Sequence, residues 1–111
     1  MQLYKVDSTN NTGTLIATYS VAITASDTAA HQFKYADLAQ KVAISKNVYY
    51  RVAYSVYTGF DRLSPQANLA FPVSSSDKKV IITDGVFGTF KTFPNQKIGY
   101  LYTSDVKIQF P

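Results

Sequence analysis

The feature that most constrains this chain is a period of two in its apolar residues, broken at short intervals by turn-forming clusters. In "TLIATYSVAIT" the residues Leu15, Ala17, Tyr19, Val21 and Ile23 alternate with Thr18, Ser20 and Thr24, the pattern of a half-buried strand. In "NVYYRVAYSVYTGF" the residues Val48, Tyr50, Val52, Tyr54 and Val56 share one side and are predicted to face the core. Tyr49, Arg51, Ala53, Ser55 and Tyr57 share the other and are predicted to face outward. Near the end, Val106, Ile108 and Phe110 alternate with Lys107 and Gln109. Turn clusters at "STNNTG", "TASD", "TGFDRLSP", "VSSSD" and "FPNQ" recur about every ten to twenty residues, a rhythm of successive strands rather than of alternating strands and helices. The expected class is all-β, an antiparallel β-sandwich, with at most one short helical turn near residues 37–41, where Asp37 of "YADLAQKV" can act as an N-terminal cap.

Composition agrees with this. All seven acids are Asp and none is Glu, which suits turns and strands better than helices. At 111 residues the chain has room for one domain, residues 1–111, able to bury roughly two thirds of its unfolded surface. "KKVIITDGVFG" reads as a short buried strand followed by a hairpin turn at Asp84 and Gly85, a dipeptide that supplies positive φ.

Charge and residue inventory narrow the function classes. The formal charge of +4 comes from nine lysines, scattered except for Lys78 and Lys79, and from Arg51 and Arg62. A nucleic-acid surface would gather its Arg and Lys on one face, so none is expected. No apolar run approaches the roughly 18 residues of a membrane span, and the first residues lack the pattern of a secretory signal. With no cysteine and a single histidine, His31, thiolate chemistry and a locally assembled triad are not expected, and no cofactor is. A structural calcium clip is the one metal role left open, with Asp7, Asp27, Asp61, Asp77 and Asp84 in turns, although turn-forming Asp explains their positions equally well. A glycosidase would need two carboxylates converging on one cleft, and the isolated aspartates show no such pair.

Two stretches carry rings beside polar groups. "YTGFDR" offers Tyr57, Phe60, Asp61 and Arg62, and "FKTFPNQ" offers Phe90, Phe93, Asn95 and Gln96. Aromatic faces stack on the apolar faces of sugar rings, and amides and charges fix the hydroxyls, so both stretches are candidate ligand-binding loops; packing at the end of a sandwich is the competing reading. Tyr49 and Arg51 are instead a candidate protein interface, where Tyr and Arg are enriched.

Four stretches taken in order, "LYKVDSTNNTGTLIAT", "VAISKNVYYRVAY", "DGVFGTFKTFPNQ" and "YTSDVKIQFP", also carry a resemblance. Together they resemble a family of bacterial β-sandwich domains of unknown function, found in secreted multidomain proteins beside immunoglobulin-like and fibronectin-like repeats. The chain departs from that pattern at Tyr4 and His31, where the family commonly has tryptophan, and at Lys41, where it commonly has proline. The family also has further strands before the Leu3 position. The resemblance implies a jelly-roll-like sandwich with an accessory, sugar-binding or adhesive role. The expected function is thus a non-catalytic carbohydrate-binding or adhesion module, meeting a glycan or cell-surface ligand outside a bacterium or on a virion. The alternative is an assembly domain forming homo-oligomers through a sheet edge or the Tyr/Arg face, which light scattering at several concentrations would separate from a monomer.

Overall fold

A computed structural model describes residues 1–7, 9, 11–20, 37–55, 70–98, 108 and 110. They belong to two compact units: Met1–Tyr54 with Asp105–Pro111, and Ser55–Ser104. Every regular element among them is a strand, and every pairing is antiparallel. The helical turn expected near residues 37–41 does not form; residues 39 and 40 make a bend.

The first unit contains a three-stranded sheet of β1 (Gln2–Val6), β2 (Gly13–Thr18) and β3 (Tyr50–Ala53), with β1 in the middle. Between β1 and β2 the Asp7 amide donates to the Thr12 carbonyl at 3.0 Å. The register runs Leu3 to Ala17 but Tyr4 to Leu15, so one residue of β2 is extra at that point. Such a bulge reverses which side the following residues face. Leu15 and Ala17, expected on one side, are thereby opposite different faces of β1, and Leu15 is exposed.

On the other side of β1, Leu3 pairs with Val52, Tyr4 with Arg51 and Lys5 with Tyr50. The Val6 amide extends the ladder by donating to the Tyr49 carbonyl at 2.9 Å. Directly opposed residues share a face, so Tyr4 and Arg51 are neighbours on one side of the sheet, with Val6 on the same side two residues along β1. That side holds the most protected residues: Tyr4 is 5% exposed, Val6 7% and Arg51 9%.

This corrects the expected facing of β3. Arg51 lies with the buried residues, whereas Tyr50, Val52 and Tyr54, expected to form the core wall, are half-buried. An arginine can occupy such a place because its aliphatic stem packs against apolar neighbours while its guanidinium is satisfied by acceptors. Among the described residues, no buried side-chain nitrogen or oxygen lacks a hydrogen-bond partner. Tyr50 also has a polar attachment, its hydroxyl accepting from the Ser45 amide at 2.9 Å. Between them Asn47 has a φ of 59°, the left-handed conformation that Asn tolerates better than most residues, and it turns the chain into β3.

The second unit contains two hairpins. In the first, β4 (Val73–Ser74) pairs with β5 (Ile81–Ile82). Its turn is held by Asp77, whose carboxylate accepts from the Ser75 hydroxyl at 2.7 Å and the Lys79 amide at 3.1 Å, while Lys78 takes a φ of 56°. In the second, β6 (Gly85–Phe87) pairs with β7 (Gln96–Ile98).

The expected hairpin at Asp84 and Gly85 is therefore replaced by two others, one on each side of it. Gly85 is a buried strand residue paired with Ile98, and β5 is exposed rather than buried. The dipeptide carried a turn propensity, but the Asp77 turn and the loop around Thr89 closed the actual pairings.

Candidate functional site

The β6–β7 loop, residues 88–95, places a ring in solvent beside hydrogen-bonding groups. Its tip is a turn from Thr89 to Thr92. The Thr92 amide donates to the Thr89 carbonyl at 3.0 Å, the Thr92 hydroxyl donates to the same carbonyl at 2.7 Å, and the two hydroxyls lie 2.8 Å apart. Lys91, inside this turn, has a φ of 58°. Below the tip the two limbs close on each other at Gly88. A Cβ built there would stand 2.9 Å from the Pro94 Cα and 3.5 Å from the Phe93 carbonyl oxygen, so a side chain at this position would force the backbone apart.

This frame sorts the rings. Pro94 is buried and Phe93 half-buried, so Phe93 presents less of its ring to solvent than Phe90 does. Phe90, at the tip, is 49% exposed, and the Lys91 ammonium stands 5.4 Å from its ring centroid, within cation–π range. Phe87 is 47% exposed at the end of β6 and sits directly opposite Gln96, which puts a ring and an amide side chain on one face of the hairpin. Asn95 and Gln96 are both exposed.

Of the four residues expected to bind on this stretch, Phe90, Asn95 and Gln96 are thus exposed groups of one hairpin, and Phe93 is half-buried in the same loop. Phe87 and Lys91 join the set. The sequence signal for Phe87 was its place in a ring-rich run ending in "FPNQ", but without the pairing to Gln96 it read as an ordinary strand residue.

At the base of the hairpin the Lys97 ammonium lies 3.1 Å from an Asp84 carboxylate oxygen, an ion pair with Asp84 largely shielded and Lys97 in solvent. Residues 85–98 contain no Asp, Glu, His or Cys. The groups on offer within this segment are ring faces, amides, hydroxyls and ammonium groups.

The other candidates are placed as follows. Tyr57, Phe60, Asp61 and Arg62 lie outside the described residues. Tyr49 is 57% exposed, but Arg51 is buried, so the two do not form one exposed Tyr/Arg face. The carboxylate oxygens of Asp7 and Asp77 are engaged locally. Asp7 accepts from the Thr12 and Thr9 hydroxyls and from the amides of Asn11 and Thr12. These bonds, the Thr12 hydroxyl first, hold its pKa down at about 2, outweighing the opposing effect of desolvation, which comes second in size. Asp77 is lowered too, chiefly by the Ser75 hydroxyl and then by the Lys79 amide. Among the described residues, no three His, Cys, Asp or Glu side chains gather where they could share a metal ion. Asp27 lies outside the described residues, as does Asp61. Beside Asp7 an open depression of about 300 Å³ is lined by Lys5, Val6, Asp7, Thr12, Gly13 and Thr14, with no ring in its wall.

No protein-family model, curated protein or solved structure matches the chain.

Proposed function

We propose that this protein is a non-catalytic carbohydrate-binding or adhesion module that works outside a bacterial cell or on a virion, and that the β6–β7 loop is its saccharide-binding surface. One observation carries the reading: Phe90 stands in solvent on a turn held by its own hydrogen bonds, on the same hairpin as the exposed amides of Asn95 and Gln96. A ring held in place loses little conformational freedom on binding, so more of the stacking energy remains as affinity. The apolar face of a pyranose covers the ring, and carboxamides can donate to and accept from its hydroxyls at once. The resemblance to the bacterial β-sandwich family supports the same role. With it goes the finer architecture we propose, a jelly-roll-like sandwich built from the antiparallel strands.

The test is a calorimetric titration of a panel of bacterial cell-surface oligosaccharides into the protein and into Phe90→Ala. Because Phe90 is half-exposed, the variant should keep its fold, with a stability change of about 0.5 kcal/mol, checked by circular dichroism. Loss of the stacked ring should weaken binding about tenfold. A folded protein that binds no member of the panel, or that binds equally well without the Phe90 ring, contradicts the proposal.

A further inference from the structure

Resting on that reading, we infer that the β6–β7 hairpin holds a second sugar subsite, Phe87 with Gln96, and so binds an oligosaccharide chain in preference to a single sugar. Phe87 ends β6 and is 47% exposed, and Gln96, directly opposite at the start of β7, is exposed too. Opposed residues of an antiparallel pair share a face, with Cβ atoms about 5 Å apart. A ring and a carboxamide at that spacing supply what a pyranose needs: an apolar surface to lie on, and a group that both donates to and accepts from its hydroxyls. The loop carries another such set in Phe90, 49% exposed, and the exposed Asn95.

The strand pairing sets the direction in which a chain can run. The next pair on the face of Phe87 and Gln96 is Gly85 with Ile98, of which Gly85 is buried and Ile98 half-buried. The accessible part of that face therefore ends at Phe87 and Gln96 on the strand side, and a bound chain continues towards the loop. Phe90 follows Phe87 by three positions, so their Cα atoms lie within about 11 Å of each other. Linked sugars bridge such a distance. Phe87 is carried by the β6–β7 ladder and Phe90 by the hydrogen-bonded Thr89–Thr92 turn, so both are placed before a ligand arrives. Once one sugar is bound, the second contact is intramolecular and adds to affinity without a further loss of translational freedom.

The experiment titrates the whole chain calorimetrically with homologous series of one to five units of β-1,4-linked N-acetylglucosamine, α-1,4-linked glucose and α-1,6-linked mannose. In at least one series the affinity is expected to rise about three- to tenfold between one unit and three, and then to level off. Phe87→Leu keeps an apolar strand residue and removes the flat ring, so it should abolish that rise and leave the single-sugar affinity unchanged. Gln96→Ala, at an exposed position, should reduce the same rise. Equal affinity for one unit and three in every series overturns the second subsite and leaves the saccharide reading standing. A rise that survives Phe87→Leu, or Gln96→Ala where the former does not fold, does the same. If Phe90→Ala leaves every affinity unchanged, the reading itself fails. No binding by any member of any series, with the protein folded, overturns the inference together with the reading on which it rests.

Discussion

Two residues show how a single side chain decides local structure here, and neither is where the strand alternation alone would place the emphasis. Asp7 closes the β1–β2 turn by accepting four hydrogen bonds, and its pKa falls from 3.8 to about 2 as a result. The sign of the consequence follows. A carboxylate whose pKa is depressed on folding contributes stability that is fully present above its unfolded value and is lost as pH falls through the folded one. Asp7→Asn is therefore expected to lower the Tm at neutral pH, because the amide replaces one acceptor oxygen with a donor. The gap between variant and parent should close as pH drops from 3.8 towards about 2. Thermal melts of both proteins over that range check it, and a gap independent of pH would show that the carboxylate charge does not hold the turn. Arg51 is the second case. Its alternation with Tyr50 and Val52 was legible, but alternation says only that residues share a side. Which side is covered depends on what the rest of the chain lays over the sheet, and Arg51 ended up among the buried residues beside Tyr4.

At the level of elements, the all-β character was readable because period two and turn chemistry both argue for strands over local windows. Pairing was less so. "DG" at Asp84 and Gly85 is a strong hairpin dipeptide by itself, yet Gly85 pairs inside β6, and the Asp77 and Thr89–Thr92 turns close the hairpins on either side. A strand of two or three residues carries too little alternation to fix its partner, so side-chain hydrogen bonds in the turns decide between pairings of similar local propensity. The β1–β2 bulge is a related case, since one extra residue moves Leu15 away from the face it would share with Ala17. The candidate loop was half legible: the ring and amide content of "FKTFPNQ" marked it, while the partial burial of Phe93 and the pairing of Phe87 with Gln96 needed the fold.

Gly88 is what brings the limbs of that loop together. Gly88→Ala is expected to destabilise the protein by about 1 to 3 kcal/mol, because its Cβ would meet the Pro94 backbone at 2.9 Å and the limbs must part. Denaturant unfolding measures this, and an unchanged midpoint would mean that the close approach does not contribute to stability.

For the molecule as a whole, composition and charge pointed to a strand-rich domain before any site was visible. An all-Asp acid set, a low charged fraction and dispersed lysines fit the all-β fold. They do not single out the loop. What does so is a three-dimensional coincidence: exposed Phe87 and Phe90, exposed Asn95 and Gln96, a cation beside one ring, and a turn that holds them. Sequence spacing placed Phe90 and Phe93 together as equals, whereas burial separates them.

We propose that this hairpin is the surface the ligand touches. Backbone amide resonances of the isotopically labelled protein, followed while the tightest-binding oligosaccharide is added, test this. The largest shifts are expected within residues 87–97, with those of Phe90 and Lys91 among them. Shifts centred instead on residues 49–54, or no shifts at all with any oligosaccharide, would contradict it.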